Sequence, residues 1–455
     1  MDSALTYGYE GRRWPLGTPK DKEPAMNLSS LRLVALLFLL SVSAPWGCDD
    51  SGGKTTPTDL TSDDVDTTEG LTADLSEPDV AAETDETQLE DLVADQPPEV
   101  ELIPLPDKPW DFTQKGPYNV GYYETSLTYQ PEGVTGSREL RLAFWYPTRA
   151  AHGFSISYLN LLARPKVWHE PIPAPEGPFP LLLFSHGSNG FAEQSYFMTE
   201  YFASHGFVVA APDHTGNTFN DLGGGVPPET MFLRPQDASA VLDAIEALPA
   251  EHLLHGLVGD TIAMSGHSFG GYTSLAAAGA NYPVDTFLAE CANNLWPAFV
   301  CQSLAASQDI FRAGFLDLRI DLIIPQAPGG TMAFGSAGAA AIDVPVLLFT
   351  GARDATTPNA TEGDPTWAAL DGPGDLRVDF ATAGHFTFSN ACALAPAIGE
   401  NDGCGVGFVD LEEAYRTINA FSMAFIQRHL FGDDSGADIL DGTRLLSNDI
   451  TLSKK

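Results

Sequence analysis

The chain has 455 residues, with 61 acidic against 23 basic side chains, a formal net charge of −38 and a pI near 4.3. With no basic patch to hold phosphates, nucleic acid is not an expected partner. The composition is uneven: Asp49 to Glu101 carries 18 carboxylates against the single Lys54 and has no aromatic residue, so it cannot bury enough apolar surface to offset the entropy of ordering.

That stretch reads as a disordered acidic tether between a leader and a globular part, giving three segments: 1–48, 49–101 and 102–455. Met26 to Gly47, MNLSSLRLVALLFLLSVSAPWG, has Arg32 near its start, an apolar run from Leu33 to Leu40, then small residues before Cys48. This is the layout of a signal peptide, and the run is short for a membrane span. Translation starting at Met26 rather than Met1 would fit it. Cys48, opening the acidic linker, resembles the lipidated first residue of a bacterial lipoprotein, although Pro45 and Trp46 depart from that motif. Cleavage after Ala44 is the competing site. The expectation is an exported protein, anchored to a membrane through Cys48 or secreted.

The other cysteines agree with export. Cys291, Cys301, Cys392 and Cys404 fall as two local pairs, which predicts disulfides Cys291–Cys301 and Cys392–Cys404; the alternative is four buried thiols. No C-x-x-C occurs, so neither a zinc nor a redox site is indicated.

From Tyr118 the sequence turns globular. Val120 to Tyr129 and Arg138 to Tyr146 alternate like an antiparallel pair. Pro180 to Ser185 (PLLLFS) is a continuous apolar run, as in a strand buried on both faces, and ends in His186-Gly187-Ser188-Asn189-Gly190. A helix is predicted over Glu193 to His205, stopped at Gly206, then a strand over Phe207 to Ala211. Thr218 to Pro228 reads as a mobile loop, and Arg234 to Leu248 as a helix. Strand, helix, strand, helix, strand implies a mostly parallel central sheet flanked by helices. Residues 281–321 are long for a connection and read as a small cap, with an ordinary crossover helix as the alternative. Leu322 to Ile324, Val344 to Phe349 and Leu376 to Phe380 are the remaining strand candidates, and Tyr415 to Phe431 is a closing amphipathic helix.

The chemistry centres on TIAMSGHSFGGY, Thr261 to Tyr272. Its core, Gly266-His267-Ser268-Phe269-Gly270, is a G-x-S-x-G elbow: a serine at a sharp strand-to-helix turn, with glycines where the two elements come close. A serine hydroxyl is a poor nucleophile at neutral pH and needs a base, which needs a carboxylate to hold it. In this order of elements the acid and then the histidine follow the serine. His385 lies just past a strand, in Ala383-Gly384-His385-Phe386; His429, in the closing helix, is the alternative. Asp354 directly follows the strand Val344 to Phe349, on the edge expected for Ser268. Asp343, Asp375 and Asp379 are alternatives on or before strands. His186 and His267 are read as residues that pack and orient loops.

HGSNG after a buried strand, VVAAPDHTGNT, RPQDASAVLDAI, GHSFGG, the Gly-Ala-Arg-Asp turn and AGHF together resemble the α/β-hydrolase superfamily. Within it they are similar to bacterial platelet-activating factor acetylhydrolase-like and dienelactone hydrolase-like proteins. The resemblance implies a serine esterase needing no metal or organic cofactor, with Ser268, Asp354 and His385 as its triad and the N–H groups of Ser188 and Phe269 as oxyanion donors. The expected partners are a small-molecule or lipid ester and, through Cys48, a membrane. The chain is expected to be a monomer.

Overall fold

The computed structural model describes residues 100–221, 226–295 and 298–455, with only the backbone at 298–300. The leader, Cys48 and the acidic stretch as far as residue 99 lie outside the described residues, as does part of the loop read over Thr218 to Pro228.

Among the described residues eleven strands form one sheet. They are β1 (Asn119–Tyr129), β2 (Arg138–Thr148), β3 (Ser155–Tyr158), β4 (Leu162–His169), β5 (Phe179–Ser185), β6 (Val208–Pro212), β7 (Val258–His267), β8 (Leu322–Gln326), β9 (Leu347–Gly351), β10 (Leu376–Phe380) and β11 (Ile450–Lys454). Their spatial order is β11-β10-β9-β8-β7-β5-β6-β2-β1-β4-β3. The run from β6 through β5 to β10 is parallel; β1 and β2 form the expected antiparallel pair, with Asn119 opposite Thr148. Helix α1 (Tyr196–Ser204) carries the chain from β5 to β6, and helix α2 (Thr230–Glu246) carries it from β6 to β7 on the far side of β5. The order therefore reverses between β5 and β7, which opens a crevice at their carboxyl ends.

The buried runs read in the sequence fill two layers. In β5, Leu181 and Leu183 face one cluster with Val241 of α2 and with Leu275 of helix α3 (Phe269–Ala277). Leu182 and Phe184 face the other, with Phe202 of α1 and with Ile418 and Phe421 of a long helix over Leu411–Phe431. Alternate residues of one strand thus hold both layers, which is why these strands are apolar throughout.

Boundaries shift where local chemistry was not read. The helix expected from Glu193 is a 3₁₀ turn over Ala192–Ser195 leading into α1, and Gly206 takes the left-handed backbone (φ 89°) that ends it. Helix α2 begins at Thr230 rather than Arg234 and continues through Pro235. That proline cannot donate to the carbonyl of Met231, and the Tyr272 hydroxyl fills the place at 2.9 Å.

Residues 281–321 are two helices, α4 (Val284–Ala292) and α5 (Ala298–Ala313), joined by the Cys291–Cys301 disulfide and by an Arg312–Asp285 ion pair. Phe311 of α5 packs on Phe232 of α2 and on Tyr282, and Ile310 lies under Gly133 of the β1–β2 turn. The segment read as a cap is thus a stapled helical hairpin seated on α2. Among the described residues three short helices and one long one follow: α6 (Gly363–Ala369), α7 (Ala391–Leu394), α8 (the long helix Leu411–Phe431) and α9 (Ala437–Leu440).

Candidate active site

The elbow is as tight as its glycines require. Ser268 sits at φ 58° and ψ −119° between β7 and α3, a strained backbone for a residue with a Cβ. A Cβ on Gly266 would lie 2.2 Å from the Gly270 carbonyl oxygen, and one on Gly270 1.8 Å from that of Ser185. Both contacts are with backbone, so neither position admits a side chain.

Asp354 and His385 come from turns after β9 and β10, adjacent parallel strands. A Cβ on Gly351 would meet the Ala383 carbonyl oxygen at 2.5 Å, which shows how closely the two turns approach. His385 Nδ1 and Asp354 Oδ2 are 2.9 Å apart, with both side chains buried. The carboxylate can only accept, so Nδ1 carries the proton and Nε2 is left as the basic nitrogen. Thr357, absent from the sequence reading, completes the pair. Its N–H donates to Asp354 Oδ1 at 2.6 Å, and its hydroxyl lies 2.7 Å from Asp354 Oδ2 and 3.0 Å from His385 Nδ1.

Burial pulls the His385 imidazole down, but the charge and hydrogen bond of Asp354 outweigh it, and the net shift is upward. For Asp354, burial pushes up while His385 and Thr357 pull down, and the carboxyl ends below its ordinary range.

A Cβ on Gly187 would lie 3.3 Å from Ser268 Cβ; one on Gly329 would lie 3.8 Å from Ser268 Oγ and 2.6 Å from Thr357 Cγ2. Ser268, the His385 partner Thr357 and the loop after β5 therefore surround one small space at the carboxyl edge of the sheet. Among the described residues the Ser268 hydroxyl makes no hydrogen bond, so its link to His385 is not closed in the resting site. Such contacts are commonly long in unliganded enzymes and tighten around the substrate.

Of the expected oxyanion donors, Phe269 is the first residue of α3, where an N–H has no intrahelical acceptor. The N–H of Ser188 belongs to the peptide unit whose oxygen, that of Gly187, is held by His186 Nδ1 at 2.7 Å and by the Gly190 N–H at 3.1 Å. Fixing one end of a planar unit fixes the other. Among the described residues neither N–H has a partner within the protein.

The histidines beside these donors do orient loops. His186 Nε2 accepts from the His214 N–H, so its Nδ1 donates to Gly187. His267 Nε2 donates to the His385 carbonyl at 3.0 Å, and its Nδ1 accepts from Gln194, whose oxygen accepts the Gly187 N–H. Burial, with the neighbouring His385 second, pulls His267 down to about 3, so it stays neutral. Below the loop, Arg234 is fully buried and donates to the His186 carbonyl; burial lowers it to about 9. Sequence reading missed Gln194 and Arg234, since Gln194 links the Gly187 N–H to the distant His267 ring and Arg234 acts on backbone far away in the chain.

Asp343, Asp375 and Asp379 are not drawn in. Asp375 accepts the N–H groups of Val346 and Gly372 at the opposite ends of the strands, and Asp379 accepts from Thr350 and Asn359. His429 packs on Phe425 in α8. Both cysteine pairs are disulfide-bonded. Among the described residues no group of three or more His, Cys, Asp and Glu is placed to hold a metal ion, and no helix is long and apolar enough to cross a membrane.

A family model described as Chlorophyllase matches residues 156–288, a span from β3 to α4 that contains the loop after β5 and the elbow. A solved structure, a ferulic acid esterase from Streptomyces cinnamoneus, superposes with a TM-score of 0.53 at 22% identity, over 74% of this chain and 97% of that one. The chain has the α/β-hydrolase fold. Among curated proteins none matches the sequence. Within this fold, Ser268, Asp354 and His385 stand after β7, β9 and β10, in the chain order serine, acid, histidine that the fold uses.

Proposed function

We propose that the chain is a serine carboxylic-ester hydrolase working through an acyl-enzyme. The observation that carries this is the buried Asp354–His385 pair, 2.9 Å apart, on the same sheet edge as a serine in a strained elbow. Ser268 attacks the ester carbonyl as His385 Nε2 takes its proton; Asp354 holds the ring and offsets the imidazolium charge. The N–H groups of Ser188 and Phe269 bind the oxyanion. His385 returns the proton to the leaving alcohol, and a water activated by the same nitrogen releases the acid.

The substrates proposed are short-chain esters or oxidised and short-acyl lipids, as the resemblance to acetylhydrolase-like proteins suggests; the ferulic acid esterase neighbour supports an ester as the bond cleaved. Hydrolysis of p-nitrophenyl acetate, butyrate and octanoate, alongside methyl ferulate and an acetylated phospholipid, tests this. Preference for acetate and butyrate supports it. A rate confined to methyl ferulate would overturn the short-acyl reading and keep the esterase. Turnover of amides or polyesters alone would replace it with another hydrolase of this fold.

We also propose export with lipidation at Cys48, supported by the leader pattern and by two disulfides. The mass of the mature N-terminal peptide decides: a diacylglyceryl cysteine agrees, and an unmodified Pro45 terminus does not.

A further inference from the structure

Asp402 lies in the Cys392–Cys404 loop, outside every motif singled out above, yet its buried carboxylate reaches both turns of the acid–base pair. Oδ1 accepts the N–H of His385 at 2.9 Å and that of Ala355 at 3.0 Å; Oδ2 accepts the N–H and hydroxyl of Thr356 at 3.0 and 2.7 Å. Ala355 and Thr356 directly follow Asp354. The Asp402 carbonyl also accepts the Phe386 N–H. One side chain thus takes donors from both turns, and nothing else among the described residues bridges them by four hydrogen bonds.

The strap carrying Asp402 is held as closely. A Cβ on Gly384 would meet the Asp402 carbonyl carbon at 2.4 Å, and one on Gly403 the Thr387 N at 2.7 Å. Cys404, two residues on, is bonded to Cys392 in α7, which follows the His385 turn.

We propose that Asp402 is a positioning residue for the Asp354–His385 pair: it fastens the two turns to each other, and the Cys392–Cys404 disulfide keeps the strap in place. The inference rests on His385 being the base of the proposed reaction. Asp402 touches no reacting atom. It sets the separation and angle of the pair, and misplacement by about 1 Å can cost on the order of 100-fold in rate. It also adds negative charge near the imidazole. The other groups facing His385 are Asp354 from the turn after β9, neutral His267 from β7 with ring centroids 4.6 Å apart, Thr357, and Glu362 at the start of α6. Asp354 acts most strongly after burial; Asp402 and Glu362 also favour the protonated ring.

The test is Asp402→Asn, which keeps the shape but turns an amide NH₂ toward donors and removes the charge. The full chain is assayed across pH, and the His385 ring is titrated by NMR, assigned with His385→Gln. The expected result is a kcat about 10- to 100-fold lower with KM within about two-fold, and a His385 titration and acid limb both moved to lower pH. A wild-type kcat overturns the proposal, and so does a lower kcat with the His385 titration unmoved, because a packing defect alone does that. If D402N does not fold, the paired change Cys392→Ala and Cys404→Ala carries the test, with the same two shifts expected and their absence overturning it. The ring titration is read in the resting protein, so it decides on Asp402 even if esters prove not to be substrates.

Discussion

The proton on His385 is governed by a contest between burial and the charge and hydrogen bond of Asp354. Burial favours the neutral ring, but a carboxylate 2.9 Å away reverses this and lifts it above its usual range near 6.5. A base works only when unprotonated, so kcat/KM is expected to rise with pH through the His385 titration and to reach its plateau above neutrality. Asp354→Asn removes the charge that lifts the ring, so the acid limb is predicted to move to lower pH while kcat falls about 10⁴-fold through loss of the required tautomer. A pH–rate series on both proteins checks this; an acid limb that stays fixed would separate Asp354 from the base. Asp354 and His385 were legible as candidates because each directly follows an apolar strand. Thr357, Gln194 and Asp402 were not, because their partners His385, His267 and the Ala355–Thr356 turn lie dozens of residues away, and such contacts leave no periodic trace.

At the scale of elements, the elbow and the closing helix give opposite lessons about tolerance. Gly270 has no room at all: a methyl group would lie 1.8 Å from the Ser185 carbonyl oxygen, which β5 holds in place. Gly270→Ala is expected to give little soluble protein, or a melting temperature lowered by several degrees with activity lost, as read by thermal unfolding. Helix α8, by contrast, is fixed by ordinary capping. Asp410 accepts the Glu413 N–H at 3.0 Å, and Gly432 closes the far end at φ 64°. Asp410→Ala is expected to cost about 1 kcal/mol in denaturant unfolding and to leave kcat unchanged. Strands β5, β6, β8 and β9 could be read because burial on both faces makes them nearly continuous apolar runs, while β7 and β10 could be read from the apolar residues Ile262 to Met264 and the alternating Leu376, Val378 and Phe380. Strands β3 and β4 escaped: LARPKVWH is half exposed, contains Pro165, and lies beside the sheet edge, where a proline and charges are tolerated. Strand β11, also at an edge, is only half buried and gives no apolar run.

At the scale of the molecule, the central sheet with its two apolar layers supplies the rigidity, and the disulfides act on the parts that project from it. One staples the α4–α5 hairpin and the other the strap around Asp402. Closing loops of 10 and 12 residues restricts the unfolded chain enough to contribute about 2–3 kcal/mol each. A reductant is therefore predicted to lower the denaturant midpoint; an unchanged midpoint would mean that the loops are held by packing alone. The segmentation into leader, tether and globular part came from composition. The fold class came from the alternation of buried strands with helices, and the hairpin's seat on α2 did not, since nothing in residues 281–321 records which surface they meet.

Covalent capture decides whether Ser268 is a nucleophile activated by His385. The protein is treated with a fluorophosphonate ester and its peptides are mapped by mass spectrometry. One adduct is expected, on the peptide carrying Ser268, formed far more slowly in His385→Gln and absent in Ser268→Ala, with ester hydrolysis lost in the same proportion. Labelling elsewhere, or ester hydrolysis that survives in Ser268→Ala, would contradict it.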